Sequence, residues 1–410
     1  TSIFTLLLFY SCEDNFYSIE DIAYLNEENI NSEYDLSEYS LIETDSNSDT
    51  YYHTNDMDLL IYFTNMLNDE DITTLSLTED FGENFEGISW SWDDIVNYDK
   101  SIDVFNLTEL YIDGDILDIN DDDLLYIASL ENLNLEILDL ESTNNITTIP
   151  SLINFTSLKH LDLWGLDDLI TIEELPSSFE DLRINYSDDL VSIQGIPNTL
   201  KSLDINYCGD LQNFSINPFS IESLERLELR DIESNFIIPE NINLPQLETL
   251  ILSGYNFSGT LPNQLYNSNN LKHLEINYTL IEGTISENIS MLEDLNFLDL
   301  ADNLLNGEVP FKNDQNQPIG VLALALDDLN YLNLSNNQFT GQVPSELFSN
   351  YNLVTIDLSN NNFSGDISEN ICTYLYVNNN NSNLSNNNFC GNIPECVPSL
   401  IDISGQDCEE

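Results

Sequence analysis

Side chains that could carry out catalysis are scarce in this chain of 410 residues. It has three histidines, His53, His160 and His273, and none of the spacings that place a nucleophile, a metal or a phosphate in an enzyme site. Carboxylates are abundant, with 74 Asp and Glu against 8 Lys and Arg, so a pair at glycosidase-like distance is expected anywhere and indicates nothing. The composition therefore favours binding over catalysis.

The formal net charge of −66 limits the kinds of molecule that this protein is expected to bind. A surface this acidic repels nucleic acid and anionic membranes, and it attracts cations and basic proteins. The charge is explained either by solubility in a salty or calcium-rich exterior or by a functional use. In both cases we expect stability to depend on salt, because ions screen the mutual repulsion.

The residues that could bind a ligand are placed by a repeat, which is clearest around Leu329. Leu329, Leu332 and Leu334 are followed by Asn337, and the same spacing returns 24 residues later from Leu353. A period of about 20–29 residues with this spacing is typical of a solenoid of short stacked strands, whose leucines are buried only when the next coil stacks on them. The asparagine is expected to turn inward and hydrogen-bond backbone groups.

This pattern resembles the plant-type leucine-rich repeats of receptor ectodomains and polygalacturonase-inhibiting proteins, with a few shorter, bacterial-type repeats between Leu158 and Leu200. The resemblance implies an α/β solenoid, namely a right-handed leucine-rich-repeat superhelix with a parallel β-sheet on its concave face, and an extracellular setting. Coils are predicted to begin near Ile72, Leu107, Leu135, Leu158, Phe179, Leu200, Leu224, Leu247, Leu271, Leu295, Leu329, Leu353 and Asn379.

The repeats are predicted to occupy residues 71–378, between two capping segments. Residues 13–70 form an acidic N-terminal segment that ends in a capping helix, and residues 379–410 form a Cys-rich C-terminal cap. Residues 1–12 are interpreted as the remnant of a secretory signal peptide, with a lipidated Cys12 as the alternative. We expect no transmembrane segment.

The repeat also predicts which side chains share the concave face, because side chains alternate across a strand. All three arginines of the chain and two of its histidines fall at these positions, together with aromatic residues of the kind enriched at binding hot spots. The alternative is charge relief, in which each arginine only offsets the repulsion between stacked carboxylates. The predicted ligand-binding residues are His160, Trp164, Arg183, Tyr186, Tyr207, Arg226, Arg230, His273 and Tyr278.

Three aspartates recur just past the strands of consecutive coils: Asp168, Asp189 and Asp210. Coils stack about 5 Å apart, so these carboxylates would repel one another unless a cation lies between them. Oxygen-rich clusters suit Ca²⁺, and a calcium site is predicted here, with solvated loop residues as the alternative. No cofactor is expected to be required.

Four of the six cysteines lie near the end of the chain and predict a disulfide-bonded cap made in an oxidising compartment. Among the three pairings of Cys372, Cys390, Cys396 and Cys408, we favour Cys372–Cys396 with Cys390–Cys408. Cys208 occupies the asparagine position of its coil, so a buried free thiol is expected there.

Asn-x-Ser/Thr sequences predict N-glycosylation if the chain passes through a eukaryotic secretory pathway. Three of them, Asn185, Asn277 and Asn333, fall on the predicted concave strands, where a glycan would obstruct binding. The predicted glycosylation sites are Asn106, Asn145, Asn154, Asn213, Asn256, Asn288, Asn362 and Asn383.

Together these patterns predict a secreted or cell-surface recognition protein, without catalysis, that binds a protein or polysaccharide through its concave face. The competing interpretation is an acidic structural or adhesive matrix protein that self-associates through divalent cations. Ice binding along the Asn-rich turns is a third, but the interior ladder already explains those asparagines. A soluble monomer with a discrete ligand would favour recognition, and calcium-dependent self-association would favour the matrix.

Overall fold

The computed structural model describes eleven segments of the chain and divides into two compact units, Thr1–Phe179 and Glu180–Glu410. The predicted signal remnant and N-terminal capping helix lie outside the described residues. The segments are residues 40–43, 50–53, 88–96, 103–114, 119–130, 135–232, 236–310, 328–345, 347–350, 352–378 and 382–408.

The first unit begins with antiparallel strands that the repeat does not predict. β1 (Ser40–Glu43) pairs with β2 (Thr50–His53), and β3 (Ile88–Val96) pairs with β4 (Asp103–Asp113). The described part of the coil predicted from Ile72 therefore pairs antiparallel with β4. It is not one of the parallel strands that the repeat predicts.

From β4 onward the strands of this unit run parallel, as predicted. Register aligns Leu110, Leu138 and Leu161 in one inward row, and none of them is more than 1% exposed. The remaining elements of the unit are α1 (Asp121–Ser129), β5 (Ile137–Glu141), β6 (Thr148–Ile149), β7 (His160–Trp164) and β8 (Thr171–Ile172).

The second unit is built on eight parallel strands, joined in sequence order. Alternate residues point inward, so that Leu203 and Ile205 are completely buried while Asp204 between them is half-buried. The strands are β9 (Asp181–Asn185), β11 (Ser202–Cys208), β13 (Arg226–Ile232), β15 (Thr249–Ser253), β17 (His273–Asn277), β19 (Phe297–Asp299), β21 (Tyr331–Asn333) and β23 (Thr355–Asp357).

A second set of parallel strands, two to five residues in length, alternates with these along the chain and forms additional sheets, which the repeat spacing did not predict. They are β10 (Ser192–Ile193), β12 (Asn213–Phe214), β14 (Phe236–Ile237), β16 (Phe257–Thr260), β18 (Leu280–Gly283), β20 (Leu304–Glu308), β22 (Gln338–Gly341) and β24 (Asn362–Phe363). The helical segments are the 3-10 turns Pro218–Ser220, Asn263–Asn267, Glu287–Met291 and Leu347–Ser349, and the α-helices α2 (Asn370–Asn378) and α3 (Val397–Leu400). No helix in the described segments is long and apolar enough to cross a membrane.

In the coils from Asn303 onward, inward asparagines join a coil to the one before it, as predicted. Asn337 Nδ2 donates to the Leu300 carbonyl of the preceding coil at 2.7 Å, and its Oδ1 accepts from Leu305 N of that coil at 3.0 Å. These bonds satisfy backbone groups that would otherwise be buried without partners. Equivalent bonds are made by Asn361, Asn387 and Gln406.

The cysteine predictions are confirmed. Cys372 pairs with Cys396 and Cys390 with Cys408, so the first disulfide joins α2 to the C-terminal cap and the second lies within the cap. Cys208 is a buried free thiol, and burial raises its pKa to about 12, which keeps the thiol protonated at neutral pH.

Candidate ligand-binding face

The eight odd-numbered strands from β9 to β23 are here named the long strands. The ladder face is the set of side chains that do not point inward on these strands and on the three residues after each of them. Strand register arranges these side chains in rows that cross the strands. One row, here named the ring row, is Asp181, Ser202, Arg226, Thr249, His273, Phe297, Tyr331 and Thr355. The next, here named the acid row, is Arg183, Asp204, Glu228, Ile251, Glu275, Asp299, Asn333 and Asp357.

Both arginines of β13 are held by carboxylates of their own chain. Arg226 contacts Glu228 and lies 3.6 Å from Asp204. Arg230 donates to Glu228 at 2.6 Å and to Glu275 at 2.8 Å. Arg230 therefore reaches from β13 to β17 across β15, and the two guanidinium groups and three carboxylates form one network.

The pKa of Glu275 is strongly lowered in this network. Burial opposes ionisation of its carboxyl, but hydrogen bonds from His273 and Arg230 outweigh burial and hold its pKa at about 2. The His273 ring nitrogen lies 3.2 Å from the carboxylate, and Asn277 donates to it at 3.0 Å. Glu275 is thus ionised at any physiological pH.

Ion pairing within the chain extends to the third arginine and to three lysines. Arg183 lies 3.1 Å from Asp181. Lys159, Lys201 and Lys272 each pair with a glutamate one coil earlier, at 2.6, 2.8 and 2.7 Å. These contacts favour the charge-relief interpretation of the basic residues.

Aromatic rings stack along the ring row. His273 and Phe297 have centroids 4.0 Å apart, and Phe297 and Tyr331 have centroids 4.2 Å apart, with planes within 6° of parallel. Only His273 is among the predicted ligand-binding residues. Phe297 and Tyr331 occupy the same position in the next two coils, so the repeat contained the signal that would have found them.

Three tyrosines at or just past the ends of their strands have left-handed backbone conformation. Tyr186, Tyr207 and Tyr278 have φ of 56°, 55° and 52°, and they are 45%, 41% and 50% exposed. Tyr186 and Tyr207 stack at 4.8 Å with planes 7° apart. This conformation costs an L-residue with a bulky side chain roughly 1–2 kcal/mol. Other coils place Asn336 and Asn360 here, a residue type that tolerates it.

Two segments of the chain, residues 328–350 and 352–374, match the Leucine Rich Repeat family model. They contain β21 and β23, with their inward leucines and asparagines. The chain folds as a leucine-rich-repeat solenoid. No curated protein matches its sequence.

Solved structures similar to this chain include receptor chains. The plant peptide hormone receptor RGFR1 in complex with RGF2 has 22% identity over 69% of this chain and 53% of its own, with a TM-score of 0.47. A TDR receptor has 24% identity over 68% and 55%, with a TM-score of 0.43. The ectodomain of the Arabidopsis receptor kinase HAESA has 21% identity over 68% and 67%, with a TM-score of 0.38. The solenoid spans little more than half the length of the first two.

The remaining predicted site residues lie in the first unit of the solenoid or outside the long strands. His160 is half-buried and Trp164 is 45% exposed, both on β7. Asp168 is exposed in the first unit, and Asp189 and Asp210 are exposed in the second. Within the described segments, no three His, Cys, Asp or Glu side chains are grouped to hold a metal ion. Calcium binding at these aspartates stays a prediction.

The predicted obstruction by glycans is opposed at Asn277 and Asn333, whose Nδ2 groups are engaged in hydrogen bonds. Asn277 is 8% exposed and its Nδ2 is hydrogen-bonded to Glu275. Asn333 donates to Asp299 at 3.3 Å, and Asn185 accepts from Asn206 at 3.0 Å. Among the predicted glycosylation sites, Asn106 lies in β4, Asn256 and Asn383 are half-buried, and the exposed ones are Asn145, Asn154, Asn213, Asn288 and Asn362.

Proposed function

We propose that this solenoid is a non-catalytic recognition protein that binds a protein ligand at the cell exterior, on the ladder face of its second unit. The observation that carries the proposal is the set of tyrosines held exposed in left-handed conformation, Tyr186, Tyr207 and Tyr278. Strained residues cluster where function requires them. Asparagine would serve the fold better, as it does at Asn336 and Asn360.

Tyrosine suits recognition for a physical reason. Its ring offers a large amphipathic contact area, and only two side-chain torsions must be fixed on binding. The Tyr186–Tyr207 stack fixes them already, so less entropy is lost when a ligand binds. The same rings could receive a sugar chain, so a polysaccharide is the alternative ligand.

Several features support an extracellular setting. Two disulfides close the C-terminal cap, and disulfides persist in oxidising compartments. The acidic surface favours solubility there, and exposed sequons such as Asn145 are accessible for glycosylation. Self-association through divalent cations is the competing proposal, and it predicts calcium-dependent oligomers.

The test is affinity capture from the extracellular fraction of the source, with and without Ca²⁺, followed by titration of the captured component. A triple variant replaces Tyr186, Tyr207 and Tyr278 with Asn. The control replaces three exposed isoleucines outside the long strands with Asn: Ile153, Ile170 and Ile237, which are 50%, 49% and 71% exposed.

We expect the tyrosine variant to bind at least tenfold more weakly, about 1.4 kcal/mol, while its thermal stability is equal or higher. The isoleucine control should bind like the wild type. Equal binding by both variants would refute the proposal. Binding that survives protease treatment of the fraction identifies a polysaccharide, and capture of this chain itself only with Ca²⁺ identifies the matrix alternative.

A further inference from the structure

We propose that the ligand of the ladder face is a basic protein segment, and that the part of the face from β17 to β23 receives its lysine or arginine side chains. This inference rests on the proposed function, because it names the partner class for the same face. Three observations support it. Carboxylates in this part of the face have no cationic partner, their negative charge is not required by the fold, and a row of aromatic rings lies beside them.

Carboxylates exceed cations in this part of the chain. Residues 273–410 contain 20 Asp and Glu but only one Lys or Arg, Lys312. On the ladder face, Arg230 reaches Glu275 and no further. Among the described residues, Asp299, Asp302 and Asp357 take part in no ion pair, in contrast to the carboxylates of β9 to β13.

The negative charge of two of these aspartates is not required by their turns. Asp299 Oδ1 accepts from Ala301 N at 2.9 Å, and Asp357 Oδ1 accepts from Ser359 N at 2.9 Å. At the same position of β21, Asn333 Oδ1 accepts the equivalent bond at 3.1 Å. An amide therefore satisfies the backbone as well as a carboxylate does.

The negative charge of Asp299 destabilises the folded state. Asp299 is 7% exposed, and burial raises the pKa of its carboxyl, which means that the folded state disfavours the ionised form. Burial likewise raises the pKa of Asp302. A ligand cation placed beside these groups would relieve this cost, so part of the binding energy is already stored in the free protein.

The ring row supplies the apolar half of the site. His273, Phe297 and Tyr331 lie two residues before Glu275, Asp299 and Asn333, which is about 7 Å along a strand. Lysine and arginine carry aliphatic stems of comparable length, which pack on apolar surface while the charged end reaches a carboxylate. Ring edges beside carboxylates therefore match these two side chains.

An acidic ligand does not fit the same face. Its arginines already contact carboxylates of the chain, and a net charge of −66 repels an anionic partner at long range. A basic partner is attracted, and its association rate should fall steeply as salt is added.

The test uses a fluorescently labelled peptide of about eight residues with alternating lysine and alanine, because four strands span about 15 Å and an extended peptide this long covers them. A peptide with glutamate in place of lysine is the charge control. The face variant carries Asp299→Asn, Asp302→Asn and Asp357→Asn in the full chain. The matched variant carries Glu282→Gln, Glu293→Gln and Glu369→Gln, which are exposed and lie off the long strands.

Both variants raise the net charge by three, so a general attraction to the acidic surface changes equally in both. At near-physiological salt we expect the face variant to bind the lysine peptide about tenfold more weakly, and the matched variant within about twofold of the wild type. Equal weakening in the two variants, or preference for the glutamate peptide, would overturn the inference. Asp299→Asn alone, expected to weaken binding about threefold, keeps the test valid if the triple variant does not fold.

The captured extracellular ligand separates this inference from the proposed function. If its binding depends on the three tyrosines but not on the three aspartates, recognition holds and the basic-partner inference fails. If neither set of substitutions changes its binding, both fail.

Discussion

Removing the guanidinium of Arg230 tests whether the ion network on the ladder face stabilises the fold. Arg230 donates to two carboxylates with side chains only 9% and 12% exposed, Glu228 and Glu275. The pKa of Glu275, lowered from 4.5 to about 2, corresponds to about 3 kcal/mol in favour of the ionised form. His273 and Asn277 remain in the variant, and solvent screens one side of the network. We therefore expect Arg230→Gln to lower the free energy of unfolding by about 2 kcal/mol at pH 7.

The effect should depend on pH with a defined sign. Because the pKa of Glu275 is lower in the folded than in the unfolded chain, its contribution is present above pH 4.5 and is lost as the pH falls toward 2. The difference between wild type and Arg230→Gln should therefore be largest near neutral pH and shrink below pH 4.5.

Urea denaturation followed by far-UV circular dichroism measures this difference, with Arg183→Gln as the matched control. Arg183 is 53% exposed and lies 3.1 Å from Asp181, so its loss should cost less than about 0.5 kcal/mol. Each substitution removes one positive charge, so the added general repulsion is the same in both. Equal destabilisation by the two variants would show that only net charge matters and would refute the network.

Four further predictions concern stability. Tyr278→Asn should raise the free energy of unfolding by about 1 kcal/mol by relieving the left-handed strain, and a loss in chemical denaturation would contradict that strain. Asn337→Ala should lower it by about 3 kcal/mol, because buried groups in two coils lose their partner, and unchanged amide exchange in both coils would count against the ladder. Asp299→Asn should stabilise the protein at pH 7, because burial disfavours the ionised carboxyl and asparagine carries no charge. Calorimetry should show this gain in stability vanish as the pH falls toward 3.8, since protonation of Asp299 removes the same charge from the wild type. Replacing Cys372 and Cys396 with Ser should cost about 3 kcal/mol, as their sequence separation of 24 implies, and an unchanged melting temperature would show that the cap is stable without the bridge.

The leucine spacing predicted the long strands because the leucines of the pattern mark the positions that are buried in each strand. Each odd-numbered strand from β5 to β23 begins two residues after a predicted coil start, from Leu135 to Leu353, and β4 contains the coil start Leu107. The antiparallel β3 was missed, since no repeat spacing marks it. The short strands such as β10 and β12 were missed because two residues carry no periodicity.

The rows of the ladder face could be predicted from the repeat, but the contacts between their side chains could not. Register follows from the repeat, so the rows containing His273 and Glu275 could be written from the sequence. The bridge from Arg230 to Glu275 joins residues 45 positions apart and passes over a strand whose acid-row residue is the uncharged Ile251. Whether Phe297 stacks on its neighbours depends on side-chain torsions, which the repeat does not specify.

The inward asparagines also determine the order in which these coils are completed during synthesis. The amide of Asn337 completes the coil that precedes it, and Gln406 does the same for the coil of Asn387. Protein synthesis proceeds from the N-terminus, so in these coils the backbone emerges before the residue that satisfies it. While these coils are being made, the growing chain therefore carries one incomplete coil at its C-terminal end. A chain truncated between two of these coils would expose the unsatisfied backbone groups of its last coil at its C-terminus. That exposure would mark the truncated chain as incomplete to the proteins of quality control.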